Sequence, residues 1–223
     1  MMFDIKTMLT LYFVAGSQDC LHLAGDRAQH LLRILQQALE SGITCFQFRD
    51  KGDGSLERDR AAQKQLALQC RDLCRRYRVP FIVNDDVELA LAVAADGIHV
   101  GQSDMQAAQI RAQTDRTLIV GLSVNTLEQA RRGAASADVD YLGVGPIFPT
   151  QSKADQKPAV GSEFIARLRE QGITKPLVAI GGITQESAAQ LAAFGADGIA
   201  VISAITRAQD VPAAVKALRR QLG

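Results

Sequence analysis

The sequence predicts an α/β fold: a single-domain (β/α)8 barrel of eight parallel strands, spanning residues 1–223. Three observations carry that expectation. Short apolar runs recur at a regular beat along the whole chain. The runs carry no polar alternation, as strands buried on both faces should. Helix-period stretches separate them, and eight strands in strict alternation with eight helices is the count of a closed barrel. An open doubly wound sheet is the competitor, and units of near-equal length favour closure.

In chain order, residues 9–14 (LTLYFV) open the sheet and residues 27–39 form the first helix, with Ala28, Leu31, Leu32, Leu35 and Leu39 on one face. Residues 44–49 (TCFQFR) form the second strand and 56–77 a longer helix. The third strand is 81–84 (FIVN), followed by a helix at 86–94; the fourth is 97–101 (GIHVG), followed by 105–112. The fifth is 118–123 (LIVGLS), followed by 127–137; the sixth is 141–145 (YLGVG), followed by 162–169. The seventh is 177–181 (LVAIG), followed by 185–194; the eighth is 198–202 (GIAVI), followed by 211–222. The phrase Ala-Asp-Gly stands before two strands, at 95–97 and 196–198. Such helix-to-strand turns belong to the stability end of a barrel and carry no chemistry. The polar, Pro-containing stretch 154–160 reads as a loop over the site, not a domain boundary.

Composition narrows the function classes. The chain has 25 basic and 24 acidic residues and a formal net charge of +1. No basic face is implied, so nucleic acid is not an expected partner. No run of 18 apolar residues and no signal-like start is present, which predicts no membrane association and a cytoplasmic location. Cys20, Cys45, Cys70 and Cys74 lack metal-finger spacing and read as reduced thiols. Self-association is left open by the sequence.

In a barrel, chemistry sits where strands end. The second strand ends in Gln47-Phe48-Arg49-Asp50-Lys51. Alternation puts Gln47, Arg49 and Lys51 on one side and Phe48 on the other. Two cations and an amide aimed into a barrel mouth call for an anion. The plain alternative is an ion pair with a neighbouring carboxylate, for which Asp50 is available. The third strand ends in Asn84-Asp85-Asp86, and the fourth runs through His99 to Asp104. Asp85 and Asp104 can share a hard cation, since magnesium takes one or two protein carboxylates with waters and phosphate oxygens. The alternative is helix capping by Asp86 and Asp104, and for Asp104 both roles stay open. His99 reads as a satisfied core or rim histidine with no catalytic role. Ser123 and Asn125, after the fifth strand, can be plain caps. The sixth strand leads into GPIFPTQSK, residues 145–153, which carries hydroxyls and Lys153. Gly181-Gly182 and Ser203 follow the seventh and eighth strands, the usual barrel phosphate site. The mouth therefore holds two anion sites. One, near Gly182 and Ser203, suits a monophosphate. The other joins Gln47, Arg49, Lys51, Asn84, the carboxylate pair and Lys153, and suits a diphosphate with a metal.

The segments QFRDK (47–51), ND (84–85), GIHVGQSD (97–104), GLSVN (121–125), GPIFPTQSK (145–153), AIGGI (179–183) and AVISAI (200–205) occur in the order in which they occur in the thiamine-phosphate synthase family, one per strand end. On these the chain resembles that family over nearly its whole length. The resemblance implies a transferase (thiamine-phosphate diphosphorylase) that joins 4-amino-2-methyl-5-pyrimidinylmethyl diphosphate to a thiazole phosphate, with Mg2+ as cofactor. It implies that Gln47, Arg49, Lys51, Asn84 and Lys153 bind the pyrimidine diphosphate, and that Asp85 and Asp104 hold the metal. Ser123 is implied on the pyrimidine side. Thr150, Gln151, Ser152, Gly182, Ile202 and Ser203 are implied around the thiazole phosphate. Arg49, Lys51, Lys153 and Ser123 are the implied catalytic groups. Three positions depart from the common pattern: Asp50 where Glu is usual, Ser152 where Thr is usual, and Asn125 where many members have His. Two other readings stand beside this one. A thiazole tautomerase of the same barrel group needs a proton shuttle and has no use for the carboxylate pair. A non-catalytic phosphate-binding barrel would have lost the charged mouth residues.

Overall fold

Strand residues in this chain face one of two apolar compartments in turn, and that alternation builds the molecule. The computed structural model describes residues 3–150 and 157–222. In β1 (Leu11–Ala15), Leu11, Phe13 and Ala15 join one compartment, and Tyr12 and Val14 join the other. The other strands are β2 (Cys45–Phe48), β3 (Phe81–Asn84), β4 (Gly97–Val100), β5 (Ile119–Val124), β6 (Tyr141–Val144), β7 (Leu177–Ile180) and β8 (Gly198–Val201). All pair in parallel and in chain order. β1 closes on β8 through Leu11↔Ile199, Tyr12↔Ala200 and Phe13↔Val201. The result is the expected closed (β/α)8, or TIM, barrel.

The helices after the strands are α2 (Arg27–Ser41), α3 (Arg60–Tyr77), α4 (Val87–Ala92), α5 (Ala107–Ala112), α6 (Leu127–Ala135), α7 (Glu163–Glu170), α8 (Gln185–Ala193) and α10 (Val211–Arg220). Two short helices lie outside the expectation: α1 (Ile5–Leu9) before the barrel and α9 (Ser203–Thr206) after β8. Leu9 therefore belongs to a helix, not to the first strand. Asp4 caps that helix, its carboxylate accepting the Thr7 N–H at 2.9 Å. The expected start of α3 at residue 56 moves to Arg60 because Asp59 is its N-cap.

The larger compartment lies between strands and helices. Its aromatic rings pack in series, Phe13–Phe46 at 5.4 Å and Phe46–Phe81 at 6.2 Å between centroids. The smaller one is the barrel interior, with Tyr12, Val14, Cys45, Ile82, Tyr141, Val178, Ala200 and Ile202. Met8 and Leu9 of α1 join it and close the end where the strands begin. At that same end, Asp96, Asp140 and Asp197 accept the backbone N–H of Phe81, Val120 and Leu177 at 2.9, 2.7 and 2.9 Å. Both Ala-Asp-Gly turns thus tie one strand to the next at the end away from the mouth. Among the described residues, no helix is long and apolar enough to cross a membrane.

Candidate active site

The strand ends that carried the sequence argument surround one cavity of about 220 Å³. Arg49, Lys51, Asn84, Asp85, Asp104 and Ser123 line it from β2 to β5. Thr150, Gly182, Ile202 and Ser203 line it from β6 to β8. Gln47 does not line it. That side chain is 4% exposed, one layer down inside the barrel, and donates to the Tyr12 hydroxyl at 2.9 Å. Gln151, Ser152 and Lys153 lie outside the described residues.

The cations are partnered differently from the plain alternative. Asp50 is buried and turned away. Its carboxylate accepts the Ser17 N–H at 2.8 Å and the Leu56 N–H at 2.9 Å, and so braces the turn before α3. Lys51 instead pairs with Asp85, at 2.8 Å. This contact is the first cause of a Lys51 pKa above its ordinary value. Arg49 makes no ion pair within 4.0 Å among the described residues.

Asp85 sits at φ 59°, in the left-handed region, and its N–H donates to the His99 carbonyl at 2.9 Å. A non-glycine residue held there stores strain of the kind found at ligand sites. Asp86 does cap α4, accepting the Leu89 N–H at 2.8 Å. Asp104 caps nothing: α5 starts at Ala107 with Gln106 as N-cap, and the Asp104 carboxylate instead accepts the Gly101 N–H at 2.6 Å. Burial pushes the Asp104 carboxyl above its ordinary pKa, the Gly101 bond opposes this, and the adjoining Asp85 carboxyl adds to it. Two carboxylates brought together at a cost suit a shared hard cation. Among the described residues no group of three or more His, Cys, Asp or Glu could hold a metal. Magnesium needs no such group, because waters and phosphate oxygens complete its shell.

The far side of the cavity is backbone. Gly181 and Gly182 have φ +104° and +65°. A Cβ on Gly182 would lie 2.7 Å from the Pro149 carbonyl oxygen and 2.8 Å from Phe148 Cβ. Ile147 and Phe148 donate their N–H groups to Ile180 and Gly181 at 2.9 and 3.0 Å. The loops after β6 and β7 therefore form one rim, close enough only because residue 182 has no side chain.

Ser123 is not a cap, and neither is Asn125: Thr126 caps α6. The Ser123 hydroxyl lies 2.8 Å from His99 Nε2. Asn125, read from sequence as a possible cap, lines the cavity, and so do Lys157, Gln102 and Ser103, which were given no role from sequence. Gln102 donates to the Ser123 carbonyl at 2.7 Å. Lys157 lies in the polar stretch expected to cover the mouth, and that was its only signal.

A family model described as "Thiamine monophosphate synthase" matches residues 11–205. A thiamine-phosphate synthase from Haemophilus influenzae (strain PittGG) is 62% identical over 216 residues, 97% of this chain and 96% of that protein. One from Pasteurella multocida (strain Pm70) is 57% identical over 214 residues, 96% of each. Among solved structures, a thiamine phosphate pyrophosphorylase from Pyrococcus furiosus is 33% identical, covers 98% of both chains and has a TM-score of 0.82. A geranylgeranylglyceryl phosphate synthase from Thermoplasma acidophilum, at 15% identity and a TM-score of 0.67, shares the fold alone.

Proposed function

The chain belongs to the thiamine monophosphate synthase family, and from that premise we propose how its barrel mouth performs the coupling. The activity is that of a transferase: the pyrimidinylmethyl diphosphate is joined to 4-methyl-5-(2-phosphooxyethyl)thiazole, giving thiamine phosphate and free diphosphate. The tautomerase and non-catalytic readings are not favoured, because relatives at about 60% identity over nearly the full length carry the synthase name.

The observation that carries the assignment of roles is the division of the cavity, with cations and carboxylates from β2 to β4 facing a glycine-lined rim from β7 and β8. Arg49, Lys51, Asn84 and Lys153 bind the diphosphate. Asp85 and Asp104 hold magnesium, whose chemistry there is to neutralise charge on the diphosphate. Thr150, Gln151, Ser152, Gly182, Ile202 and Ser203 hold the thiazole phosphate, and Ser123 meets the pyrimidine. Gln47, in the layer below, donates to the Tyr12 hydroxyl and supports the diphosphate site from beneath. The carbon–oxygen bond of the pyrimidinylmethyl diphosphate breaks, and its electron pair leaves with the diphosphate. The electron-rich aminopyrimidine stabilises the carbocation, and the lone pair of the thiazole nitrogen forms the new carbon–nitrogen bond. No protein nucleophile and no proton transfer is needed. The chain's work is to hold both rings in near-attack geometry and to stabilise the departing charge with Arg49, Lys51 and Lys153. The four cysteines are free and buried, which suits a reducing cytoplasm.

Mixing the chain with both phosphorylated substrates, with and without magnesium, tests this reading. Diphosphate and thiamine phosphate should appear in equal amounts and only when magnesium is present. Failure to form thiamine phosphate under those conditions would overturn the coupling reaction, and undiminished turnover in chelator would overturn the metal assignment.

A further inference from the structure

Five polar side chains from five different strands form one hydrogen-bonded chain across the barrel interior, below the cavity. Gln47 Nε2 donates to the Tyr12 hydroxyl at 2.9 Å, and the Tyr12 and Tyr141 hydroxyls are 2.8 Å apart. Tyr141 lies 3.0 Å from His99 Nδ1, and His99 Nε2 lies 2.8 Å from Ser123 Oγ. Tyr12 and Tyr141 are at most 1% exposed, Gln47 is 4% and His99 is 8%. The barrel makes room for this chain. A Cβ on Gly121 would lie 2.2 Å from Tyr141 Cζ, and one on Gly143 would lie 2.8 Å from His99 Cε1.

Burial decides which way the donors run. A buried hydroxyl proton must find an acceptor. Tyr12 already accepts from Gln47, and its own proton can reach the Tyr141 oxygen or the sulfur of Cys45, of which the oxygen is much the stronger acceptor. Tyr141 then donates to His99 Nδ1. His99 must carry its proton on Nε2 and donate it to Ser123 Oγ. The reverse direction would leave the buried Tyr12 proton with only the weak sulfur acceptor of Cys45. Read in the forward direction, the chain ends at Ser123, whose own proton points onward into the cavity.

We propose that Tyr12, Tyr141 and His99 are positioning residues that lock His99 in the Nε2–H tautomer and so make Ser123 an obligate donor toward the ligand. The ligand atom facing Ser123 is then an acceptor, an unprotonated ring nitrogen, and a ring presenting an N–H there is rejected. This deepens the proposed function and rests on its placing of the pyrimidine ring beside Ser123.

The tautomer can be read in the ligand-free protein by 15N NMR. The chain has three histidines, so replacing His22 and His30 in turn assigns the signals. His99 should show a protonated Nε2 and an unprotonated Nδ1; the opposite tautomer overturns the proposal. Tyr141→Phe cuts the chain while keeping the ring, and should mix the tautomers. It should also raise KM for the pyrimidine diphosphate by about fivefold, the worth of one neutral hydrogen bond, and leave KM for the thiazole phosphate unchanged. In a Ser123→Ala background the same substitution should add nothing to KM. An equal rise in both backgrounds would show that Tyr141 acts on packing, and would overturn the proposal. Tyr12→Phe, at the remote end of the chain, provides the same comparison if Tyr141→Phe does not fold. If the unmodified chain forms no thiamine phosphate, the proposed function fails, and the tautomer measurement still decides the direction of the chain.

Discussion

Gly182→Ala is the sharpest perturbation of the rim that β6 and β7 share. Two terms can be worked from the structure. Residue 182 has φ +65°, where an L-residue costs about 1–2 kcal/mol. The new Cβ would also lie 2.7 Å from the Pro149 oxygen and 2.8 Å from Phe148 Cβ, so the loop after β6 must move. Overpacking of that kind costs about 1–3 kcal/mol. Gly172→Ala separates the terms, because Gly172 has φ +77° and a Cβ there would meet nothing within 4 Å. For a chain of this size each kcal/mol lowers Tm by about 2–4 °C. Gly172→Ala should lower Tm by about 2–8 °C, and Gly182→Ala by about 4–20 °C, when both are followed by thermal unfolding. Calorimetric titration should then show thiazole phosphate binding about tenfold weaker in Gly182→Ala, because displacing the rim misplaces its donors, with pyrimidine diphosphate binding little changed. Equal Tm losses in the two variants would refute the steric argument. Equal weakening toward both substrates would refute the division of the mouth into two anion sites.

Three further outcomes are expected. The raised Asp104 pKa means that its ionised form opposes folding; that cost is present above the raised folded-state pKa and fades as pH falls through it toward the ordinary aspartate value. Asp104→Asn should therefore be more stable than the metal-free parent at neutral pH, with the gap shrinking in acid titration melts, and yet lose turnover by orders of magnitude; a gap that does not depend on pH would refute the first part. Lys153→Ala, in a segment outside the described residues, should lower the single-turnover rate far more than it weakens substrate binding, since charge on the diphosphate grows only as the bond breaks. Asp197→Ala removes the acceptor for the Leu177 N–H and the 2.6 Å partner of Arg169, and should cost about 1–3 kcal/mol in denaturant unfolding with kcat unchanged.

The barrel was legible because each strand is a short apolar run with its own period. Residues 81–84 match β3 without a shift, and most other strand limits move by one or two residues. Leu9 misled because an apolar residue that plugs the barrel end from a helix looks like the start of a strand. The mouth was legible because charged residues at the ends of buried runs have few other places to go. Which carboxylate meets which cation was not, since Asp50 and Lys51 are neighbours in sequence yet turn to opposite sides. Nor was the fate of Asp104, whose capping role passes to Gln106 two residues later. The buried relay was hidden for a different reason. Tyr12 and Tyr141 look like ordinary strand aromatics, and only Gly121 and Gly143, small residues at inward positions, hint that something bulky must fit beside them.

The two ends of the barrel divide the labour, and this determines how mouth variants should be read. The interior compartment is thin, and part of its volume goes to polar side chains. Most buried apolar surface lies instead between strands and helices, around Phe13, Phe46, Phe48 and Phe81, and the aspartate ties sit where the strands begin. Lys51, Asp85 and Asp104 contribute to neither. The Lys51–Asp85 pair, with side chains 54% and 25% exposed, is worth at most about 1 kcal/mol to the fold. A large loss of turnover on changing these residues therefore has to come from substrate or metal, because the fold has almost nothing invested in them.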